Sequence, residues 1–118
     1  MDKSISDKFL LLCKRNYFDK ITPSNVSNYE NENCKELVRI AKKYFKNNRY
    51  KEFVDFFQEG QYFVALWAAH LILEFGDPSK EYISLALEII TDYSDNPLAI
   101  DVAKEEAEWL KLNISKYQ

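Results

Sequence analysis

The chain has 118 residues with only two glycines and three prolines, which predicts a single domain, residues 1–118, and excludes a β-rich or disordered protein. Its net charge of −3 is unevenly divided, with +3 on residues 1–59 and −6 on residues 60–118. An acidic second half disfavours nucleic acid and favours basic partners. The longest apolar segment, Tyr62–Leu73, is 12 residues long. A membrane-spanning helix needs about 20 residues, so no membrane insertion is expected.

The first predicted helix follows Ser4 or Ser6, either of which could cap its N-terminus, and any continuation ends at Pro23. Apolar residues recur along it at roughly helical spacing. They are Ile5, Phe9, Leu12, Cys13 and Tyr17.

The second predicted helix has two alternative starts, because the sequence contains two capping boxes: Ser27 with Glu30, and Asn33 with Glu36. Its body has apolar residues at steps of three and four. These are Cys34, Leu37, Val38, Ala41, Tyr44 and Phe45. The pair Asn47-Asn48 predicts the break that follows.

A short third helix is predicted before Gly60, with its apolar face formed by Tyr50, Phe53, Val54 and Phe57. The fourth helix, about Gln61 to Phe75, is apolar almost all round and therefore has to be covered on several sides. We expect it to be the central core helix, with Trp67 buried and Gly76 ending it.

Residues 80–97 echo the apolar pattern of residues 61–78 at an offset of 19 positions. In this alignment Asp77-Pro78 falls on Asn96-Pro97, and Asp or Asn before Pro is typical of a helix start. The two motifs therefore predict the starts of the fifth and sixth helices. Together these features predict an all-α fold of about six antiparallel helices, stacked as a short, right-handed, HEAT-like α-solenoid or bundle.

No catalytic, metal-binding or cofactor-binding signature is present. His70 is the only histidine and lies in the most apolar helix, so we interpret it as a core residue. We therefore expect no enzyme activity, cofactor or small-molecule substrate. Cys13 and Cys34 fall on apolar stripes of different helices, which predicts reduced, buried thiols and a cytoplasmic protein.

Acidic residues at helical spacing are the candidate protein-binding site. They are Glu81, Glu88 and Asp92 on the fifth helix, and Asp101, Glu105 and Glu108 on the sixth. Between Asp77 and Glu108, nine acids face only two lysines, an imbalance larger than solubility requires. Adjacent helices would merge the acids into a shared negative surface for a basic partner, although a merely solvated face has the same pattern.

A stripe of basic residues, opposite in charge to the acidic candidate site, is predicted on the second helix. It comprises Lys35, Arg39, Lys42, Lys46 and Arg49, at steps of three and four. Such a stripe could follow phosphates. In an acidic protein the favoured interpretation is the solvated back of an amphipathic helix.

Residues 61–112 include Ala-Leu-Trp-Ala-Ala-His-Leu-Ile-Leu-Glu-Phe-Gly and Ala-Lys-Glu-Glu-Ala-Glu-Trp-Leu. In these segments the chain resembles small bacterial HEAT-like helical proteins, some of which resemble immunity proteins of contact-dependent growth inhibition toxin systems. The resemblance implies a non-catalytic protein that binds and neutralises a cognate bacterial toxin domain. Given the acidic surface, we expect that toxin to be basic and nuclease-like. The alternative is a general helical-repeat adaptor or scaffold for protein–protein interaction.

Overall fold

The computed structural model describes residues 3–118 and confirms an all-α fold, with no strand in that part of the chain. The α-helices are α1 (Lys3–Phe18), α2 (Glu32–Lys46), α3 (Tyr50–Phe53), α4 (Val64–Phe75), α5 (Lys80–Ser94) and α6 (Ile100–Asn113). Three 3-10 helices cover Val26–Glu30, Val54–Gln58 and Ile114–Tyr117. None of the helices described is long and apolar enough to cross a membrane.

The first two helices begin at other residues than the capping patterns predict. Because α1 already includes Lys3, neither Ser4 nor Ser6 caps it, and the Ser6 hydroxyl instead donates back to the Lys3 carbonyl. The cap of α2 is Asn31, whose side chain accepts from the Asn33 amide at 2.8 Å. Both predicted capping boxes are therefore wrong. The apolar stripes of these helices do face the core except at Tyr17, which is exposed, whereas the neighbouring Asn16 is buried.

Helix α4 is the central core helix, as predicted, and every side chain from Val64 to Leu73 is buried. It begins three residues later than expected, because Tyr62 and Phe63 both take left-handed backbone conformations, with φ of 53° and 57°. Their rings pack edge-on against Tyr17 at 5.4 and 5.2 Å, and this packing holds the unusual turn in place.

The starts of α5 and α6 lie two and three residues beyond their Pro-containing motifs. The cap of α5 is Ser79, not Asp77, and its hydroxyl accepts from the Tyr82 amide. Asn96 accepts from the Leu98 amide at 2.9 Å, but this closes only a turn, and α6 starts at Ile100. The echo therefore predicts the helix order correctly and the caps incorrectly.

The helices pack as a bundle of 36 × 32 × 25 Å around α4, which contacts α1, α2 and α5. Helix α5 packs against both α4 and α6, and side chains of α6 also reach α4 directly. On the opposite side of α4, aromatic rings fill the core, with Phe9 stacked on Phe56 at 4.2 Å and edge-on to Phe53 at 5.7 Å. Cys13 and Cys34 are free and buried, as predicted.

Candidate acidic binding site

A hollow of about 780 Å³ opens between the loop at residues 24–26 and the C-terminal half of α6. We call it the α6 hollow. Its lining includes Ser24, Glu74, Glu105, Glu108, Trp109 and Tyr117. Lys104 and Lys116 also line the hollow, and the Lys116 ammonium already donates to Asn113 Oδ1 at 2.9 Å. The hollow thus combines three carboxylates with two aromatic rings.

Beside the hollow lies a polar link between three parts of the chain, and its central two side chains are fully buried. Glu106 of α6 has no exposed surface, and its Oε1 lies 2.5 Å from Nε2 of the equally buried His70 on α4. Its other oxygen accepts a short hydrogen bond from the Ser24 hydroxyl. The next residue, Glu105, accepts from Thr22 Oγ1 at 2.7 Å. These bonds fix the loop at residues 22–24 against α6.

The position of Glu106 follows from helix geometry. Val102, Glu106 and Trp109 are spaced four and three residues apart and are the buried residues of α6. Sequence reasoning missed Glu106, because it sits among Glu105 and Glu108 in a run that resembles a solvated acidic face. The available signal was its register with two apolar residues.

His70 is a core residue, as predicted, but it is not surrounded by apolar groups alone. The indole of Trp109 packs edge-on to its ring at 4.6 Å. Its Nδ1 has no hydrogen-bond partner among the described residues and lies 4.0 Å from Glu74 Oε1. The Ser24 hydroxyl donates to Glu106 and not to the imidazole, so His70 does not accept the Ser24 proton. The cluster holds the loop at Ser24, α6 and α4 in fixed positions relative to one another.

Glu74 connects the buried link to the hollow. Its Oε1 accepts from the Trp109 indole N–H at 3.3 Å, and its side chain reaches solvent. The Trp109 ring is nearly parallel to Tyr117, with centroids 6.2 Å apart and 14° between the planes. The Tyr117 hydroxyl in turn donates to the Leu73 carbonyl at 3.2 Å, so both rings are held in place.

The buried carboxylates also affect nearby tyrosines. Burial, then the charges of Glu74, Cys34 and Glu106, raises the pKa of Tyr29 well above its usual value, and its hydroxyl donates to the Pro23 carbonyl at 2.8 Å. Burial and then Glu74 raise the pKa of Tyr117. Both phenols therefore stay neutral donors near the hollow.

The predicted acidic residues do not line one common hollow. Glu88 and Asp92 line a groove of about 270 Å³ against Val54–Gln58, together with Asp55. Asp101 and Glu105 line another, of about 480 Å³, beside Lys20 and the loop that follows it. Glu105 also joins Glu108 in the α6 hollow, whereas Glu81 is exposed in the first turn of α5. The α5 and α6 acids thus lie beside different segments of the chain.

Glu105 differs from the other five predicted acids in its exposure. It is only half-exposed and is already hydrogen-bonded to Thr22, whereas the other five side chains are exposed. Glu105 therefore faces solvent only in part. Glu106, one of the nine acids counted between Asp77 and Glu108, contributes nothing to the surface because it is buried.

Four residues of the basic stripe lie on α2, but Arg49 lies beyond its end, at the start of α3, so the stripe is not continuous on one helix as predicted. All five side chains are exposed, and several of the charges are paired. Lys35 contacts Glu32 at 3.7 Å, Arg39 pairs with Glu36, and Arg49 lies 2.5 Å from Glu52. Hydrogen bonding to Arg39, with a second bond from Lys8, lowers the pKa of Glu36 to about 2. These local pairs favour a solvated helix face.

Within residues 3–118, no group of three His, Cys, Asp or Glu side chains could hold a metal ion. Compared with protein-family models, with curated proteins and with solved structures, the chain matches none of them.

Proposed function

We propose that this chain is a non-catalytic, cytoplasmic immunity protein that binds and neutralises a cognate toxin domain, which is basic and nuclease-like. The observation that carries the proposal is the α6 hollow, where Glu74, Glu105 and Glu108 surround an aromatic floor of Trp109 and Tyr117. The resemblance of residues 61–112 to HEAT-like helical proteins, some of which resemble immunity proteins, supports the choice of a toxin as the partner.

The hollow has the properties that a tight inhibitor needs. Its negative side chains accelerate encounter with a basic partner, and aromatic anchors slow dissociation. The buried bonds of Glu106 to Ser24 and His70 fix one wall before any partner arrives. Less conformational entropy is then lost on binding, which favours affinity.

A second candidate is a helical-repeat adaptor that binds an apolar segment of another protein. The observation that favours it is the exposed apolar surface at the start of α6, where Leu98 is 93% exposed and Ile100 is 60% exposed. An adaptor using this surface would bind without strong dependence on salt, because the contact is apolar.

To test the proposal, the protein encoded by the adjacent reading frame is expressed in bacteria, with and without this chain. If this chain is an immunity protein, it should relieve the growth arrest that the adjacent gene product causes, and it should form a complex with that protein. Asp101→Lys with Glu108→Lys should weaken that complex at least tenfold and make it less salt-dependent. Glu105 is left unchanged, because its reversal would also break the bond to Thr22.

The matched control is Asp7→Lys, which reverses an exposed acid on α1. It should bind like the native protein. If the neighbour causes no growth arrest, or if this chain does not relieve it, the immunity function is contradicted. Weakening by Leu98→Ser with Ile100→Ser, together with no effect of the two lysine changes, would favour the adaptor.

A further inference from the structure

Glu74 has unused capacity to bind a cation at the inner end of the α6 hollow. Its Oε1 accepts only the indole N–H of Trp109, at 3.3 Å, and its second oxygen has no hydrogen-bond partner among residues 3–118. Glu108, on the same hollow, is exposed and has neither an ion pair nor a hydrogen bond within the described chain. Two carboxylates therefore face the hollow with free acceptor oxygens.

A second observation lies directly behind Glu74. His70 is fully buried, and within residues 3–118 its Nδ1 has no hydrogen-bond partner, although Glu74 Oε1 lies 4.0 Å away. A buried polar nitrogen without a partner is rare in folded proteins. Here its nearest charged neighbour is the carboxylate that opens into the hollow, so an incomplete polar network ends at this hollow.

We propose that the α6 hollow binds an arginine side chain of the partner protein, with its guanidinium paired to Glu74 and Glu108. This inference rests on the proposed function and specifies the chemical group that the partner inserts. Guanidinium is planar, donates two parallel hydrogen bonds to a carboxylate, and stacks on aromatic rings. The partly exposed Tyr117 ring, which stacks on the buried Trp109, supplies such a face.

Lysine fits the same hollow less well. Its compact ammonium makes single-point contacts, is more strongly hydrated and cannot form the two-bonded fork with one carboxylate. Lys104 also lines the hollow, and Lys116 is already engaged by Asn113, so a bound cation has to be drawn by directed hydrogen bonds rather than by net charge alone. Two-pronged bonding by arginine satisfies this requirement.

The test uses N-acetyl-arginine-N-methylamide as the probe, with the lysine and glutamine analogues beside it, and the intact protein labelled with ¹⁵N. The chain has two tryptophans, so its spectrum has two indole N–H signals, assigned with Trp109→Phe. The arginine probe should shift the Trp109 indole signal saturably at millimolar concentration. The signal of the buried Trp67 should stay in place.

Glu74→Gln keeps an oxygen that can accept from Trp109 but removes the charge. It and Glu108→Gln should each weaken the arginine probe at least fivefold, whereas Glu81→Gln, an exposed acid on α5, should have no effect. The lysine analogue should bind at least threefold more weakly than arginine, and the glutamine analogue should not saturate. An unchanged Trp67 signal verifies that each variant is folded.

Equal shifts from all three probes, or an affinity for arginine that Glu74→Gln leaves unchanged, would overturn the proposal. The outcome for the function is separate. If Glu74→Gln still neutralises the adjacent gene product with full affinity, the arginine site is wrong and the immunity function stands. If arginine binds as described but the neighbour is not neutralised, the hollow's chemistry stands and the immunity function fails.

Discussion

Glu106 Oε1 and His70 Nε2 lie 2.5 Å apart in the protein interior, and neither side chain has any exposed surface. The contact joins α6 to α4, and the second Glu106 oxygen adds the hydroxyl of Ser24. Removing a carboxylate from water is expensive, so its partners have to compensate for the lost hydration. The pair therefore couples the stability of the bundle to the shape of the α6 hollow.

Glu106→Ala should lower the free energy of unfolding by about 3–5 kcal/mol, because it leaves His70 buried without its partner. Urea denaturation followed by circular dichroism measures the change. Glu108→Ala is the control, since that exposed side chain should contribute within about 0.5 kcal/mol.

The double change His70→Leu with Glu106→Leu replaces the buried pair with apolar groups of similar size. It should recover most of the stability lost in Glu106→Ala, because buried pairs are often no better than well-packed apolar residues. The double variant's loss in free energy of unfolding is compared with the summed losses of the two single leucine variants. If the two are equal, His70 and Glu106 contribute independently and not as a pair.

Trp67→Ala should lower the free energy of unfolding by about 3–5 kcal/mol, because the indole is fully buried on the central helix. Its N–H has no hydrogen-bond partner in the described part of the chain, so Trp67→Phe loses no bond seen there and should cost less than half as much. Leu98→Ala, at a side chain that is 93% exposed, provides the surface comparison. A loss below about 1 kcal/mol in Trp67→Ala would contradict the core packing around α4.

The native protein should become less stable between about pH 9 and pH 11. Burial raises the pKa of Cys34 from 9.0 to about 11, and burial followed by the Cys34 charge raises that of Cys13 further. The folded state therefore keeps these protons after the unfolded chain has released them. The stabilisation is complete below pH 9 and is lost as pH rises toward 11.

Urea midpoints measured across this pH range test the effect, and Cys34→Ala should reduce the decline. The same burial predicts that neither thiol reacts quickly with a disulfide reagent at pH 8 without denaturant. Fast labelling of both thiols under those conditions would contradict the packing of α1 against α2.

Lys20→Gly should raise the free energy of unfolding by about 0.5–1 kcal/mol. Lys20 is exposed and has a φ of 60°, a conformation that costs energy for residues with a Cβ and little for glycine. Lys14→Gly, at an exposed position inside α1, should instead cost about 1 kcal/mol. A similar loss in both variants would show that Lys20 carries no relievable strain.

Apolar periodicity was sufficient to predict the helices, their order and the central place of α4. Capping patterns were less informative, because short polar residues offer competing caps within a few positions. Asn31 caps α2 although Ser27 and Asn33 precede better-spaced glutamates, and Ser79 caps α5 just after Asp77-Pro78. The left-handed pair Tyr62 and Phe63 had no sequence signal, since only tertiary packing against Tyr17 holds it.

The candidate site was only partly predictable. Glu105 and Glu108 were identified from their spacing, and both line the α6 hollow. The contribution of Glu74 depends on how α4 and α6 pack, which spacing along one helix does not contain. Glu106 resembles surface charge in the sequence because its neighbours are acids, yet it is buried, and its two partners lie 36 and 82 positions away along the chain.

The bond from Glu106 to Ser24 also has a consequence for synthesis on the ribosome. Its two ends are 82 positions apart, so the bond cannot form until α6 has been translated. At about 5–20 residues per second, that delay lasts several seconds. Until then α4 can fold against α1 and α2, but His70 lacks its carboxylate and the flank that α6 covers stays open. The nascent chain is therefore expected to need protection from aggregation until α6 emerges.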